Sequence, residues 1–592
     1  MMQQQKPKRI PYGMQNWQDV RQRNCYYVDK TMYLPMIEAA DDYFFFIRPR
    51  RFGKTLLINM LEHYYDVQKA DLFDELFGDL WIGKHPTEGH NKYLVLYLNF
   101  SAFSGSLDDY QERMDDYCNL EFESFVRRYA KYLPSNALEM LKSNRGAANQ
   151  LLALARICQN ANQQIYMLID EYDHFTNIVL SDPDIEERYK AETHGSGAFR
   201  TFFNAIKNGA VSSIKKLFIT GVSPVTMDDL TSGFNIGTNY TSQPEFNGLL
   251  GFTETEVREM LDYYRQHYEF NHSTDELIEI MKPWYDNYCF SEKCLDEPPM
   301  YNSDMVLYFV NNYTRYKCRV PKDMLDNNIR TDYSKLRMLI RKDREFNHDA
   351  SIVQQIVQTG SIVGTLKESF PSESIADPDN FVSLLYYFGL LTIAGTSISG
   401  VKFRIPNQVV REQMYNYLTG AYRVNDLYTE EYPRLQLMAR MAGDGDWKPY
   451  FEYIADVLRR FSSNRDKQKG EAFVHGFTLS QTCLTKLYMP ISELDACART
   501  SIYETAYGGY ADIYMQPMLE QYPDIEHSYV IELKYLAPTA TDAEVAAART
   551  KAAEQLTRYA EAEVVARTKG HTTLHRLILL WRGIELAVAE EL

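Results

Sequence analysis

Residues 48–55 read "RPRRFGKT", directly after the apolar run "DDYFFFI" (41–47) and directly before "LLINML" (56–61). A strand-like run that ends in glycine, lysine and threonine and then enters an apolar helical pattern has the form of a phosphate-binding loop. Backbone N–H groups at a helix N-terminus favour anions. In this reading Lys54 reaches the β- and γ-phosphates of ATP and Thr55 offers its hydroxyl to Mg²⁺. Gly53 lets the backbone come close, and Arg50, Arg51 and Phe52 complete the cofactor-binding loop. The usual spacing is G-x-x-x-x-G-K-[ST]. Arg48 stands where the first glycine belongs, so the motif is degenerate at one position. The three arginines either add charge against phosphate or solvate the loop.

Two later strand-like runs fit the same chemistry. "IYMLIDEYD" (165–173) is apolar and ends in acids, so Asp170 is expected to hold Mg²⁺ and Glu171 to orient or activate water. "KKLFITG" (215–221) ends in Thr220, placed like a polar residue that senses the γ-phosphate. The bland alternatives are a buried strand opening into a solvated loop and an ordinary Thr-Gly turn. With "YLVLYLNF" (93–100), four strand-like runs alternate with helical patterns such as "TLLINMLEHYYD" and "YQERMDDYCNLEFESFVRRYAKYL". That alternation predicts an α/β domain with a mainly parallel sheet over residues 1–250.

The length of 592 residues exceeds a single core, and 45% hydrophobic residues suffice to bury several. From 251 to 462 the patterns are mostly helical. "TETEVREMLDYYRQHY" opens with Thr253 and Glu256 at capping-box spacing. "NFVSLLYYFGLLTIAGTSISGVKFRIPNQVVREQMYNYL" reads as helix, strand, loop, strand, helix, which suits a winged-helix-like module. The polar "FSSNRDKQKGE" predicts a linker, and residues 463–592 form a third domain.

In that domain "SYVIELKYL" alternates with period two, so Val530, Glu532 and Lys534 share one face. Upstream, "YETAYGGYADIYM" places Asp512 on a strand-like piece that can pair with it. Two carboxylates suit a divalent metal, which polarises a phosphodiester and lowers the pKa of bound water. Lys534 can position that water, and Glu471 on the preceding helix can complete the site. Gln555 and Tyr559, four apart on the following helix, share a face. The expected roles are therefore metal ligation by Asp512 and Glu532, and catalysis by Glu471, Asp512, Glu532, Lys534 and Gln555. The plain alternative is a half-buried strand with its charges in water.

The net charge of −17 argues against attraction of nucleic acid by a global field, so any polyanion must meet local basic patches. The eight cysteines form no CxxC pair, which suits reduced thiols. "MMQQQKPKRIPYGMQNW" has no apolar signal core, and no run approaches the ~20 apolar residues of a membrane span. A cytoplasmic protein with no membrane partner is expected.

Taken together, "YYVDKTMYL", "RPRRFGKTLLINML", "LIDEYD", "FITGVSPVTMDDLTSGFN" and "GFTETEVREML" resemble the AAA-ATPase-like domain of a bacterial protein family. Its members typically carry a C-terminal PD-(D/E)XK nuclease-superfamily domain, resembled here by "ETAYGGYADIYM", "YVIELKYL" and the Gln555–Tyr559 helix. The resemblance implies an N-terminal P-loop NTPase sheet and a C-terminal restriction-endonuclease-like α/β domain. It carries the nucleotide roles onto Lys54, Thr55, Asp170 and Glu171, and the nuclease roles onto Asp512, Glu532, Lys534 and Glu471. Ala511-Asp512 stands where the family pattern has Pro-Asp. The implied function is an ATP-binding, ATP-hydrolysing protein coupled to a Mg²⁺-dependent nuclease, with nucleic acid, DNA before RNA, as partner. Homo-oligomer formation fits ATPases of this broad kind. The alternative is a regulatory NTP-binding switch whose nuclease-like domain only binds nucleic acid or a protein partner.

Overall fold

The computed structural model describes residues 6–103, 109–174, 197–225, 237–326, 352–371, 374–375, 377–424, 430–461, 471–482, 486–495, 510–560 and 563–592. The chain divides into two compact units. The first comprises Met1–Arg319, Leu325–Lys342 and Val363–Asn407; the second comprises Val320–Met324, Asp343–Ile362 and Gln408–Leu592.

The first unit is built on the four runs read as strands, β1 (Tyr43–Ile47), β2 (Leu94–Asn99), β3 (Ile165–Asp170) and β4 (Ile214–Gly221), with a short β5 (Thr238–Asn239). They form one sheet in the order β2-β3-β4-β1-β5. Each neighbouring pair is parallel. Every residue of β3 is buried, as expected for a parallel strand covered on both faces. The expected parallel α/β architecture is present. The helix Glu254–Arg265 begins at Thr253 with a complete capping box, as its spacing predicts. The helix Pro378–Tyr387 precedes the hairpin of β7 (Thr392–Ser397) and β8 (Gly400–Arg404), with β6 (Ser361–Gly364) pairing onto β8. The helix Gln408–Val424 follows in sequence, so the helix–hairpin–helix order is as read.

The second unit carries a mixed sheet of β9 (Tyr488–Asp495), β10 (Tyr510–Pro517), β11 (His527–Leu536), β12 (Thr573–Arg582) and β13 (Glu585–Glu591), in the order β13-β12-β11-β10-β9. Only the β11–β12 pair is parallel. The helix Asp542–Ala560 connects those two strands. Its Ala552 and Leu556 pack with Tyr514, Val530, Val565 and Ile578. Strand β13 was not anticipated; its charged, half-exposed run "ELAVAEE" lacks a clean alternation.

The expected boundary at 462/463 does not separate compact units. The helices Glu431–Asp444 and Lys448–Phe461 belong with the C-terminal sheet. Tyr529 Oη donates to the Met441 carbonyl at 2.5 Å, and Tyr450 Oη donates to the Gln481 carbonyl at 2.9 Å. Trp447 Nε1 donates to Glu591 Oε2 at 3.1 Å. Most of the expected linker, residues 462–470, lies outside the described residues. Six cysteines among the described residues are buried and free of disulfides. No helix among the described residues is long and apolar enough to cross a membrane.

Candidate nucleotide and nuclease sites

Strand β1 ends at Ile47, and the helix Lys54–Tyr65 starts seven residues later, capped by Gly53. Gly53 has φ +93°, a left-handed conformation that suits glycine, while nothing lies closer than 3.9 Å to a Cβ placed there. The backbone turn, not crowding, requires this glycine. Lys54 is 6% exposed, and its Nζ donates to the carbonyls of Arg48 and Pro49, both at 3.0 Å. Burial pushes the Lys54 pKa down; Glu171, Asp170 and Asp173 oppose that shift.

Those acids come from the end of β3. Asp170 is fully buried, and burial raises its pKa to about 6, with the Glu171 charge adding to the rise. A side-chain hydrogen bond from Thr55 and the charge of Lys54 act in the opposite sense. Asp170 Oδ1 accepts the Glu171 N–H at 3.0 Å. Its Oδ2 is sealed from solvent without a well-formed hydrogen bond among the described residues. A buried carboxylate oxygen beside a threonine hydroxyl fits a hard, oxygen-preferring cation such as Mg²⁺. Glu171 has φ +52°, an uncommon backbone state for a non-glycine residue and one that collects at functional sites.

Asp173, not singled out from the sequence, is also fully buried. Its Oδ2 accepts the N–H of Ser223 at 2.7 Å, and both oxygens accept that of Val222 at 3.2 Å. It thereby ties the end of β3 to the end of β4. A Cβ on Gly221 would lie 2.4 Å from Asp173 Oδ1, so this close approach needs glycine. Thr220 sits inside this framework, 1% exposed, with its hydroxyl donating to the Phe46 carbonyl at 2.7 Å. The expectation that it faces a phosphate meets a side chain committed to the sheet.

The loop arginines separate into different environments. Arg48 is 1% exposed and donates to the carbonyls of Ile47, Thr241 and Phe246 at 3.0, 2.7 and 2.9 Å. Its guanidinium lies 4.2 Å from the ring centres of both Phe46 and Phe290. Burial brings its pKa down to about 10. Arg48 therefore neither solvates the loop nor projects toward a phosphate. It cross-links the loop's base to the segment 241–246. Phe52 is likewise in the core, edge-on to Tyr288 and Phe290. Arg50 and Arg51 remain on the cavity side.

That cavity, of about 510 Å³, is lined by Arg50 through Leu57, by Glu171, and by an apolar wall that includes Pro11, Met14, Val28, Leu250, Met260 and Leu307. Its volume is within the range that holds a drug-sized ligand or cofactor. Sequence reading found the polar half. The apolar wall comes from segments far apart in the chain, among them the "YYVDKTMYL" and "GFTETEVREML" stretches, which carried no assigned role in the site.

In the C-terminal sheet Glu532 is 1% exposed, and its Oε1 meets Lys534 Nζ at 2.6 Å. Val530, two residues earlier on the same face, packs with Ala552 and Leu556 of the helix that carries Gln555. The Glu532 face is thus the one this helix covers. The β10–β11 register pairs Ile513 with Ile531 and Tyr514 with Val530. One further step along this antiparallel ladder brings backbone position 512 opposite position 532. The side chains of Asp512, Glu471 and Tyr559 lie outside the described set. The helix Glu471–Thr482 that Glu471 begins packs against β11. Among the described residues no group of three His, Cys, Asp or Glu side chains is gathered for a metal.

Comparison with known proteins finds one family match toward each end of the chain. Residues 11–231 match a family described as predicted AAA-ATPase, and residues 469–591 match the PD-(D/E)XK nuclease superfamily. An uncharacterized protein in the vnfD 5' region of Azotobacter chroococcum is 24% identical over 264 residues, 42% of this chain; the match spans 44% of that relative's length. Cdc6p from Pyrobaculum aerophilum aligns over 71% of this chain and 97% of its own, at 12% identity and TM-score 0.26. The ORC2 protein of Aeropyrum pernix aligns over 67% and 93%, at 12% identity and TM-score 0.30. The chain therefore joins an N-terminal AAA-ATPase-like domain to a C-terminal domain of the PD-(D/E)XK nuclease superfamily.

Proposed function

We propose that the first unit binds and hydrolyses ATP with Mg²⁺, and that the C-terminal domain acts on nucleic acid phosphodiesters, DNA before RNA. The observation that carries the reading is that Lys54, Thr55 and Glu171 line the 510 Å³ cavity while Asp170 is buried within reach of Thr55 and Lys54. The apolar part of the lining suits a nucleobase. Lys54 exchanges its loop carbonyls for phosphate oxygens, and Thr55 with Asp170 would hold Mg²⁺. The cation, when bound, neutralises charge that develops on the phosphates. Glu171 accepts a proton from water attacking the γ-phosphorus; the bond to the ADP oxygen breaks, leaving ADP and phosphate.

In the C-terminal domain Glu532 and Lys534 supply a buried acid and its adjacent ammonium, and Glu471, Asp512 and Gln555 are proposed to complete the site with Mg²⁺. Titration calorimetry with ATP and Mg²⁺ tests the first half. Lys54→Ala should lower affinity at least tenfold, and Glu171→Gln should retain binding while slowing turnover about a hundredfold. Equal ATP affinity in Lys54→Ala and wild type would remove the assignment. For the second half, cleavage of single- and double-stranded DNA and RNA with Mg²⁺ should vanish in Lys534→Ala. Binding without cleavage in wild type would leave the regulatory alternative.

A further inference from the structure

The phosphate loop is tied to a helix that lies some 250 residues downstream in the same unit. Arg51 has φ +68°, an uncommon state for a residue with a side chain. Its carbonyl accepts the Asp304 N–H at 3.3 Å and the Ser303 hydroxyl at 3.5 Å. Its guanidinium meets Asp304 Oδ2 at 3.4 Å. Ser303 and Asp304 are the first two residues of the helix Ser303–Arg315. Arg51, Ser303 and Asp304 line the same cavity as Lys54 and Thr55. The two charged side chains are 31% and 16% exposed. They are held, but not sealed, at the edge of the space a nucleotide would fill.

At 3.4 Å the contact to Asp304 Oδ2 is longer than a close charge-assisted hydrogen bond of about 2.8 Å. A phosphate accepts the planar fork through two oxygens. Asp304 also places a negative charge next to any phosphate that enters, and that cost grows with each added phosphate. Resting on the nucleotide reading of the cavity, we propose that Arg51 and Asp304 form an exchange latch that distinguishes ATP from ADP. With a diphosphate, Arg51 stays on Asp304. With a triphosphate, Arg51 transfers to the terminal phosphate, and the side-chain tie between the loop and the Ser303 helix is released. Lys54 contributes to both nucleotides, whereas Arg51 contributes to the triphosphate alone. Arg51 is then a discriminating residue, and Asp304 its competitor.

The test is calorimetric titration of the full chain with ADP and with a non-hydrolysable β,γ-imido ATP analogue, both with Mg²⁺ at fixed ionic strength. Arg51→Gln should weaken the triphosphate roughly tenfold and leave ADP within about twofold. Asp304→Asn, nearly isosteric, should tighten the triphosphate about threefold or more with ADP unchanged. In the double variant the Asp304→Asn gain should disappear, since no arginine remains to be released. Arg51→Lys, which keeps the charge without the fork, should fall between wild type and Arg51→Gln. Equal effects on both nucleotides, or a weaker triphosphate in Asp304→Asn, would overturn the latch. A Lys54-dependent site whose ATP/ADP ratio ignores all these variants overturns the latch alone. Absence of nucleotide binding in wild type overturns the site itself.

Discussion

Arg48 occupies the loop position at which a phosphate-binding motif usually has glycine, and its surroundings explain the replacement. Three backbone carbonyls accept from its guanidinium, and two aromatic rings cover it. Removing the donor strands buried carbonyls and opens a cavity. Arg48→Ala should lose roughly 3 kcal/mol or more in urea unfolding; a phosphate-binding arginine would lose affinity instead and leave stability nearly unchanged. Asp286 is a buried acid of another kind. It is 1% exposed, and its Oδ1 has no hydrogen-bond partner among the described residues. Burial raises its pKa from 3.8 to about 6, with the Asn287 N–H, Lys282 and Arg404 opposing. The folded state then keeps a proton that the unfolded chain releases, so stability falls as pH rises from about 4 to about 6. Above that window the full cost persists. Asp286→Asn should therefore be more stable than wild type at neutral pH by roughly 1–3 kcal/mol, the gain shrinking as pH falls from about 6 to about 4 and absent below that. Thermal melts across pH measure it directly, and a pH-independent difference would remove this account.

At the scale of elements, the helix Glu254–Arg265 shows one residue serving two structures. Glu256 Oε2 accepts the Thr253 N–H at 2.8 Å, completing the capping box. Its Oε1 also meets Lys30 Nζ at 2.7 Å, and burial lowers the Lys30 pKa while Glu256 opposes that. The three-residue spacing of Thr253 and Glu256 predicts the first contact. Nothing local predicts the second, because Lys30 lies far away in the chain. Thr253→Ala removes a cap and should cost about 1 kcal/mol. Glu256→Gln keeps an acceptor for the cap but leaves a buried ammonium poorly matched, and should cost about 2 kcal/mol or more. If the two variants unfold at the same urea concentration, Glu256 acts as a cap only. The β4 end follows the same logic: Gly221 reads as a turn residue in "FITG", but what requires it is the approach of Asp173 from β3.

At the scale of the molecule, the chain passes between its two units more than once, and the helices Glu431–Asp444 and Lys448–Phe461 belong to the C-terminal sheet's unit. Their hydrogen bonds from Tyr529, Tyr450 and Trp447 cover polar groups and apolar surface that a shorter fragment would expose. A fragment of residues 408–592 should therefore unfold more cooperatively than one of residues 463–592, which should bind a hydrophobic dye and lose dispersed amide signals. Equal cooperativity in the two would place the boundary at the polar segment after all.

The sequence alone determined what depends on local spacing. The four parallel strands followed from short apolar runs, the strand–loop–helix turn from "FGKT", the capping box from Thr253 and Glu256, and the shared face of Glu532 and Lys534 from period-two alternation. These patterns are legible because backbone geometry repeats every two or 3.6 residues. Tertiary structure decided which of the candidate site residues are spent on the fold. Thr220 bonds Phe46, Phe52 packs on Tyr288 and Phe290, and Arg48 disappears beneath two rings. It also assembled the cavity's apolar wall and joined Arg51 to Asp304. Each depends on which distant segment arrives opposite a side chain, and in a one-dimensional sequence a buried partner leaves no periodic mark.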